Sequence, residues 1–346
     1  MGEANTRNYG PILKQYKLEP HFIEEYRNVK KVFTNKGVFA LKSARKISNT
    51  QFPSMIQMLY QKGFTRVVPI IPTIDGSYLV FQENQYHYLM PWLNNSIVDE
   101  RDDRHHLLFK ELAKMHQYSL NEIQQAKTND IYHHYENITK QWDERDGYLE
   151  SFVIESEKKW YMSPFELLFC TYYHEISLAS KYARSQLDKW YELSEETKSF
   201  RTVLTNGKVS ITHFLFDEHG KGYLSNFEKA SYASPINDLI SFYYRTLKTF
   251  PILCDDCFGW FQTYRSHFPL KEEEIYLFLS YLTYPEPIYR CVQNYKNKKE
   301  KKSEQEYVRL LQKAYWLNKN IEYFSMKIVE EEQRKKDQEA AESHTE

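Results

Sequence analysis

The 346-residue sequence predicts an α+β protein in which a small antiparallel sheet lobe with one helix precedes a large helical lobe holding one isolated β-hairpin. Three observations carry that prediction. Residues 1–91 show short period-2 runs punctuated by turn signals. Residues 92–329 show apolar stripes of period 3.6, and a single non-helical island, Val203 to Tyr232, interrupts them. Residues 330–346 form a charged tail: from Glu330 the last 17 residues hold seven acids and three bases, and a frayed end is expected there.

After a short helical start at Ile12 to Tyr16, strands are expected at His21 to Tyr26, Val29 to Thr34 and Val38 to Ser43. The last two are joined by the Asn35-Lys36-Gly37 turn. Pro53 to Lys62 places Ile56, Leu59 and Tyr60 on one helical face and stops at Gly63. Arg66 to Thr73 and Tyr78 to Gln82 are expected to pair about an Asp75-Gly76 turn, with Tyr86 to Met90 continuing the sheet. In the helical part, Leu107, Leu108, Leu112, Met115 and His116 share a stripe. Ser163-Pro164-Phe165-Glu166 combines an N-cap, a first-turn proline and a capping-box acid. Tyr307, Leu310, Leu311, Ala314, Leu317, Ile321, Phe324 and Ile328 recur at helical steps from Glu304 to Val329. The island turns at Asp217-Glu218-His219-Gly220.

Composition removes several function classes. With 46 basic and 47 acidic side chains there is no positive excess to neutralise a phosphate backbone, so nucleic acid is not an expected partner. No run approaches the roughly 20 apolar residues of a membrane-spanning helix, and nothing at the N-terminus resembles a signal peptide, so synthesis in the cytoplasm is expected. Cys254 and Cys257 have zinc-knuckle spacing, but no second pair completes four ligands. The adjacent pairs His105-His106 and His133-His134 point about 100° apart on a helix and make poor chelators, so they are expected at the surface. The lysines at 296, 298, 299, 301 and 302 read as a solvated loop. Aromatic residues are plentiful, 29 Tyr, 21 Phe and 6 Trp, while glycine numbers only 10, leaving few places for backbone to wrap closely around phosphate.

The order of the segments resembles the protein kinase and aminoglycoside phosphotransferase superfamily. Val38-Phe39-Ala40-Leu41-Lys42 is similar to the third-strand motif whose lysine holds the α- and β-phosphates of ATP. Leu89-Met90-Pro91-Trp92 sits at the hinge position, and Leu112-Ala113-Lys114-Met115-His116 resembles the helix that precedes the catalytic region. The phosphotransferase pattern of His-Gly-Asp, four residues, Asn, and a later Ile-Asp-Phe is matched in spacing by Asn206-Gly207-Lys208, His213 and Ser225-Asn226-Phe227. The spacing is intact and the chemistry is altered. Lys208 stands for the general base, and a charged ammonium accepts no proton. His213 and Asn226 stand for the metal ligands, where magnesium favours anionic oxygen. Tyr26-Arg27-Asn28 occupies the glycine-rich loop without a glycine, and Gln57 the position of the glutamate that pairs with the lysine. Lys42 is the surviving nucleotide-binding candidate. In Ser234-Pro235-Ile236-Asn237-Asp238-Leu239, Asp238 matches an aspartate that starts a helix and ties down the catalytic-loop backbone.

Within this superfamily the chain resembles the CotS-type spore coat proteins. The resemblance is carried by Gly37 to Lys42, Tyr60 to Phe64, Val68-Pro69, Thr73 to Gly76 and Phe227 to Pro235. It implies deposition in the spore coat among other coat or coat-assembly proteins. The expected role is structural or adaptor, on a degenerate kinase-like fold, with no cofactor. The alternative is an unconventional ATP-dependent phosphotransferase in which Glu228 supplies the missing carboxylate to magnesium. A third arrangement has Lys42 and Lys208 converging on an anion without metal.

Overall fold

A computed structural model of the chain describes residues 9–93, 95, 101–124, 128–248, 253–297 and 302–343. The chain forms two compact units: one of Met1–Asn121, Thr202–Asp238 and Thr263–Phe268, the other of Glu122–Arg201, Leu239–Gln262 and Pro269–Glu346.

In the first unit, strands β1 (Pro20–Tyr26), β2 (Val29–Thr34), β3 (Gly37–Ala44), β4 (Val80–Gln82) and β5 (Gln85–Pro91) form a sheet in the order β1-β2-β3-β5-β4. Adjacent pairs are antiparallel. The register sets Lys42 on β3 opposite Tyr88 on β5 and Val29 on β2, so the three side chains share a face. The other face buries Ile23, Val32, Leu41 and Leu89 against Ile12, Leu13, Tyr16 and Leu18 of the N-terminal segment. The helix Phe52–Gln61 follows β3 as expected and buries Phe52, Ile56 and Leu59. Its Phe52 ring meets Tyr88 edge-on at 5.3 Å.

Residues 66–73 do not form the expected strand. Pro69 and Pro72 have no amide to donate to a ladder. The segment makes two single bridges instead, Val67 with Leu224 and Ile71 with Leu89, and it is Val80–Gln82 that pairs with β5. The Asp75-Gly76 turn does form. Gly76 takes φ +83°, and the Thr73 amide donates to the Ser77 carbonyl at 2.8 Å. The helix Arg101–Ser119 buries Leu108, Leu112, Met115 and His116. It also buries His105, which was expected at the surface: the residue falls three positions before Leu108 and so shares the core stripe. Strand β6 (Asn121–Gln124) follows.

The second unit is built on the helices Thr128–Glu157, Pro164–Thr197, Glu272–Thr283, Glu286–Asn297 and Glu304–Ser343. Ser163 closes the capping box with Glu166 as its sequence predicts. Much of the aromatic excess is packing: Phe165 stacks on Tyr295 at 4.0 Å, Tyr243 on Phe324 at 4.4 Å, and Phe261 on Phe278 at 5.3 Å. The last helix overruns its expected end at Val329 and continues to Ser343. Residues 330–343 are rich in strong helix formers, and ion pairs one turn apart, such as Lys335 with Glu332 at 3.5 Å, support them. Lys298, Lys299 and Lys301 lie outside the described residues. None of the four cysteines forms a disulfide, and among the described residues no helix is long and apolar enough to cross a membrane.

Candidate functional site

The island supplies one end of the site. Strand β7 (Ser199–Thr205) pairs with β10 (Ser231–Ala233), and β8 (Phe214–Phe216) with β9 (Gly222–Leu224). Between β7 and β8 the chain runs from Asn206 to a short 3-10 turn, Ile211–His213. This run has a buried back and an open front.

At the back, Asp238 lies in the first turn of the helix Ile236–Thr246 and is fully buried. Its carboxylate accepts the backbone amides of Asn206 at 2.7 Å and Gly207 at 2.8 Å. It also meets His116 Nε2 at 3.3 Å, while His116 Nδ1 lies 2.7 Å from the Tyr264 hydroxyl. A neutral imidazole satisfies both, donating to Asp238 and accepting from Tyr264. Gly207 is needed here: its φ is +72°, and a β-carbon would come within 2.4 Å of the Lys229 carbonyl oxygen. Asn206, in the histidine position of the phosphotransferase motif, donates from its side chain to the Ser225 carbonyl at 3.0 Å and accepts the Lys208 amide at 3.2 Å.

The front gathers Lys42, Tyr88, Asn226 and Glu228. Lys42 Nζ lies 2.5 Å from Glu228 Oε1 and donates to the side-chain oxygen of Asn226. Tyr88 donates to the same Glu228 oxygen at 2.7 Å. Burial lowers the Lys42 pKa, Glu228 opposes that shift, and the nearby Lys208 charge adds to it. Burial alone would raise the Glu228 carboxyl, but the Lys42 charge and the hydrogen bonds from Lys42 and Tyr88 bring it below the ordinary carboxylate range. Asn226 is held at φ +70° and its amide lies 3.4 Å from His213 Nδ1. Lys208 is exposed, with no ion pair among the described residues.

Two members of this cluster were not assigned to it from sequence. The sequence pattern offers Glu228 to a metal ion and not to Lys42, and it gives Tyr88 no role beyond its strand. The alternation of β5 could have found Tyr88, since it lies opposite Lys42. Gln57 makes no described hydrogen bond, so the lysine's partner comes from the segment after Asn226. Magnesium suits this donor set poorly. The site offers an amide, an imidazole and one carboxylate already engaged by an ammonium and a phenol, and no group of three or more His, Cys, Asp or Glu among the described residues could hold a metal ion. At the glycine-loop position, Tyr26 pairs directly with Val29 across a two-residue turn, and its ring lies 5.8 Å from that of Trp92.

Residues 10–177, just under half of the chain, match the family described as "Spore coat putative kinase YutH". Over those residues the chain is similar to that family. A finer likeness within the CotS-type proteins, to the member YsxE, has no support in the match. The fold is that of the aminoglycoside phosphotransferases. An aminoglycoside phosphotransferase from Alicyclobacillus acidocaldarius is 14% identical with a TM-score of 0.70, covering 92% of this chain and 94% of that one. A spectinomycin phosphotransferase in an AMP-bound complex is 13% identical at TM-score 0.54, covering 92% and 97%. An amicoumacin kinase in complex with AMP-PNP and Ca2+ is 14% identical at TM-score 0.50, covering 90% and 96%. No curated protein matches the sequence.

Proposed function

We propose that this chain, similar over residues 10–177 to a spore-coat kinase family, is a pseudokinase-like component of the coat, acting as a structural or adaptor protein among other coat or coat-assembly proteins, without ATP or magnesium. One observation supports this reading: the carboxylate that pairs with Lys42 is Glu228, two residues beyond Asn226, and Asn226, in the metal-ligand position of the phosphotransferase pattern, also accepts from Lys42. An ammonium has three donors, and two of them are taken. The groups that would face a metal ion are thus held by an ammonium and a phenol inside the chain. Lys208 in the base position cannot relieve the attacking hydroxyl of its proton.

The alternative, an ATP-dependent small-molecule phosphotransferase, requires Glu228 to leave Lys42 and take up magnesium. Isothermal titration with ATP in the presence and absence of magnesium, followed by a phosphotransfer screen, separates the two. Magnesium is expected to leave any ATP affinity unchanged, with no phosphotransfer detected. Turnover that needs magnesium and is abolished by Lys42→Ala would establish the phosphotransferase.

A further inference from the structure

Lys42, Asn226 and Glu228 bring an amine, a carboxamide and a proton carrier together, and the first two can react with each other. Lys42 Nζ donates to the Asn226 side-chain oxygen across 184 positions of sequence, and it lies 2.5 Å from Glu228 Oε1. A carbonyl bond is about 1.2 Å long, so the amine nitrogen is at most that much farther from Asn226 Cγ than from the oxygen it touches.

Both partners are held in place. Lys42 sits in the ladder of β3, opposite Val29 on one side and Tyr88 on the other. Asn226 is 8% exposed, keeps φ +70° and is followed by the buried Phe227. The Glu228 backbone carbonyl accepts the Asn49 amide at 3.4 Å, and the buried Tyr88 donates to Glu228 Oε1 at 2.7 Å. Groups fixed in this way meet continuously, and aligned intramolecular pairs reach effective concentrations of roughly 10⁵ M or more.

We propose that Lys42 and Asn226 condense into an isopeptide bond, an amide between Lys42 Nζ and Asn226 Cγ, with ammonia as the leaving group and Glu228 as the proton carrier. The structure holds the unreacted pair, and the ion pair of Lys42 with Glu228 belongs to that state. Burial of both side chains, 16% and 13% exposed, narrows the advantage of the ion pair over a neutral amine beside a carboxylic acid. Reaction begins when the ammonium proton crosses to Glu228. The amine lone pair then attacks Asn226 Cγ, the new N–C bond forms, and the carbonyl oxygen takes the proton from Glu228. The restored carboxylate moves a proton from the attacking nitrogen to the old amide nitrogen. Collapse reforms the carbonyl and breaks the old C–N bond, and the hydroxyl proton leaves with ammonia as ammonium. Glu228 ends as the carboxylate it was, and nothing is oxidised or reduced.

Asparagine suits this step where the aspartate of the phosphotransferase pattern would not, because an ionised carboxylate repels a nucleophile and has no ammonia to expel. The Asn226 amide nitrogen lies 3.4 Å from Nδ1 of the half-buried His213, on the side from which ammonia can reach solvent. The bond joins β3 to the segment after β9, and a cross-link that closes so long a loop strongly restrains the unfolded chain. This inference rests on the geometry of the cluster and not on the role of the chain in the coat.

Intact mass spectrometry of the full chain, followed by tryptic peptide mapping, tests it. After days at physiological temperature the wild type is expected to be one ammonia lighter than its sequence and to yield a branched peptide joining Lys42 to Asn226. Lys42→Arg and Asn226→Ala should keep their full mass. Glu228→Gln, with both reacting groups present and cooperative thermal unfolding verified, should form the bond at least about 100-fold more slowly. A folded wild type that keeps its full mass would overturn the proposal, whatever the variants do. So would an ammonia loss that persists in Lys42→Arg, because a succinimide at Asn206-Gly207 gives the same mass change without a branched peptide. A branched peptide that forms in Glu228→Gln as fast as in wild type would overturn the assignment of Glu228 as proton carrier.

Discussion

Behind the run that begins at Asn206, Asp238 is fully buried and meets two backbone amides and one imidazole, and that imidazole in turn meets a tyrosine hydroxyl. In front, Lys208 is exposed, His213 and Asn226 stand in for metal ligands, and Lys42 turns to Glu228. The two sides belong to one short segment, yet only the back keeps the phosphotransferase pattern. The difference follows the partners each side holds and not burial alone, since Tyr88 and Asn226 at the front are buried too. Replacing Asp238 would strand buried donors that have no access to water. Replacing a group whose partners were a metal ion and a substrate strands nothing once those partners are no longer bound. The side chains at the front of the loop can therefore change without loosening the anchor behind it.

The largest effect should come from breaking the back. Asp238→Ala removes the acceptor of the Asn206 and Gly207 amides and of His116, and should destabilise the chain by about 3–5 kcal/mol in urea unfolding. A loss under about 1 kcal/mol would mean that the loop relaxes freely, and the contrast with the front would collapse. Gly207→Ala comes next. It combines a left-handed backbone with a β-carbon driven against the Lys229 carbonyl, for an expected cost of about 2–4 kcal/mol. Unfolding at wild-type denaturant concentration would show that the Lys229 backbone gives way.

How much of this was legible in the sequence depends on how far apart the cooperating residues lie. The Ser163 capping box, the Asp75-Gly76 turn and the strands either side of Gly37 rest on neighbours within a few residues, and all formed where expected. Asp238 was legible because its motif preserves the spacing to its helix. The pairing of Lys42 with Glu228 was not, because it joins β3 to a segment far along the chain and no local pattern encodes it. Residues 66–73 misled because their apolar content outweighed the two prolines. The helical end at Ser343 was hidden because a run of Glu, Lys and Gln reads equally as solvated tail or as a helix laced by its own ion pairs.

A smaller effect is expected at the front. Glu228→Gln keeps the shape but removes the charge that Lys42 meets, for an expected loss of about 1–3 kcal/mol at neutral pH. The sign with pH follows from the depressed Glu228 carboxyl. Its contribution is fully present above the unfolded carboxyl value of about 4.3 and is lost as pH falls through the lower folded value. The stability gap between wild type and Glu228→Gln should therefore close in acid. A gap that persists undiminished at low pH would assign the loss to packing and not to the ion pair.

The smallest effect on stability should come from Lys208→Ala, because an exposed side chain with no described ion pair leaves nothing stranded when it is removed. The expected change is within about 0.5 kcal/mol. The substitution is nevertheless informative about the front, since the Lys208 charge is one of the causes that lower the Lys42 pKa. Removing it should raise that pKa, and an NMR titration followed at the Lys42 ε-carbon would read the shift directly. An upward move with stability unchanged would place the two ammonium groups in one electrostatic neighbourhood. If Lys42 titrates where it did before, Lys208 faces solvent too far away to act with it, and the arrangement in which both lysines converge on an anion loses its basis.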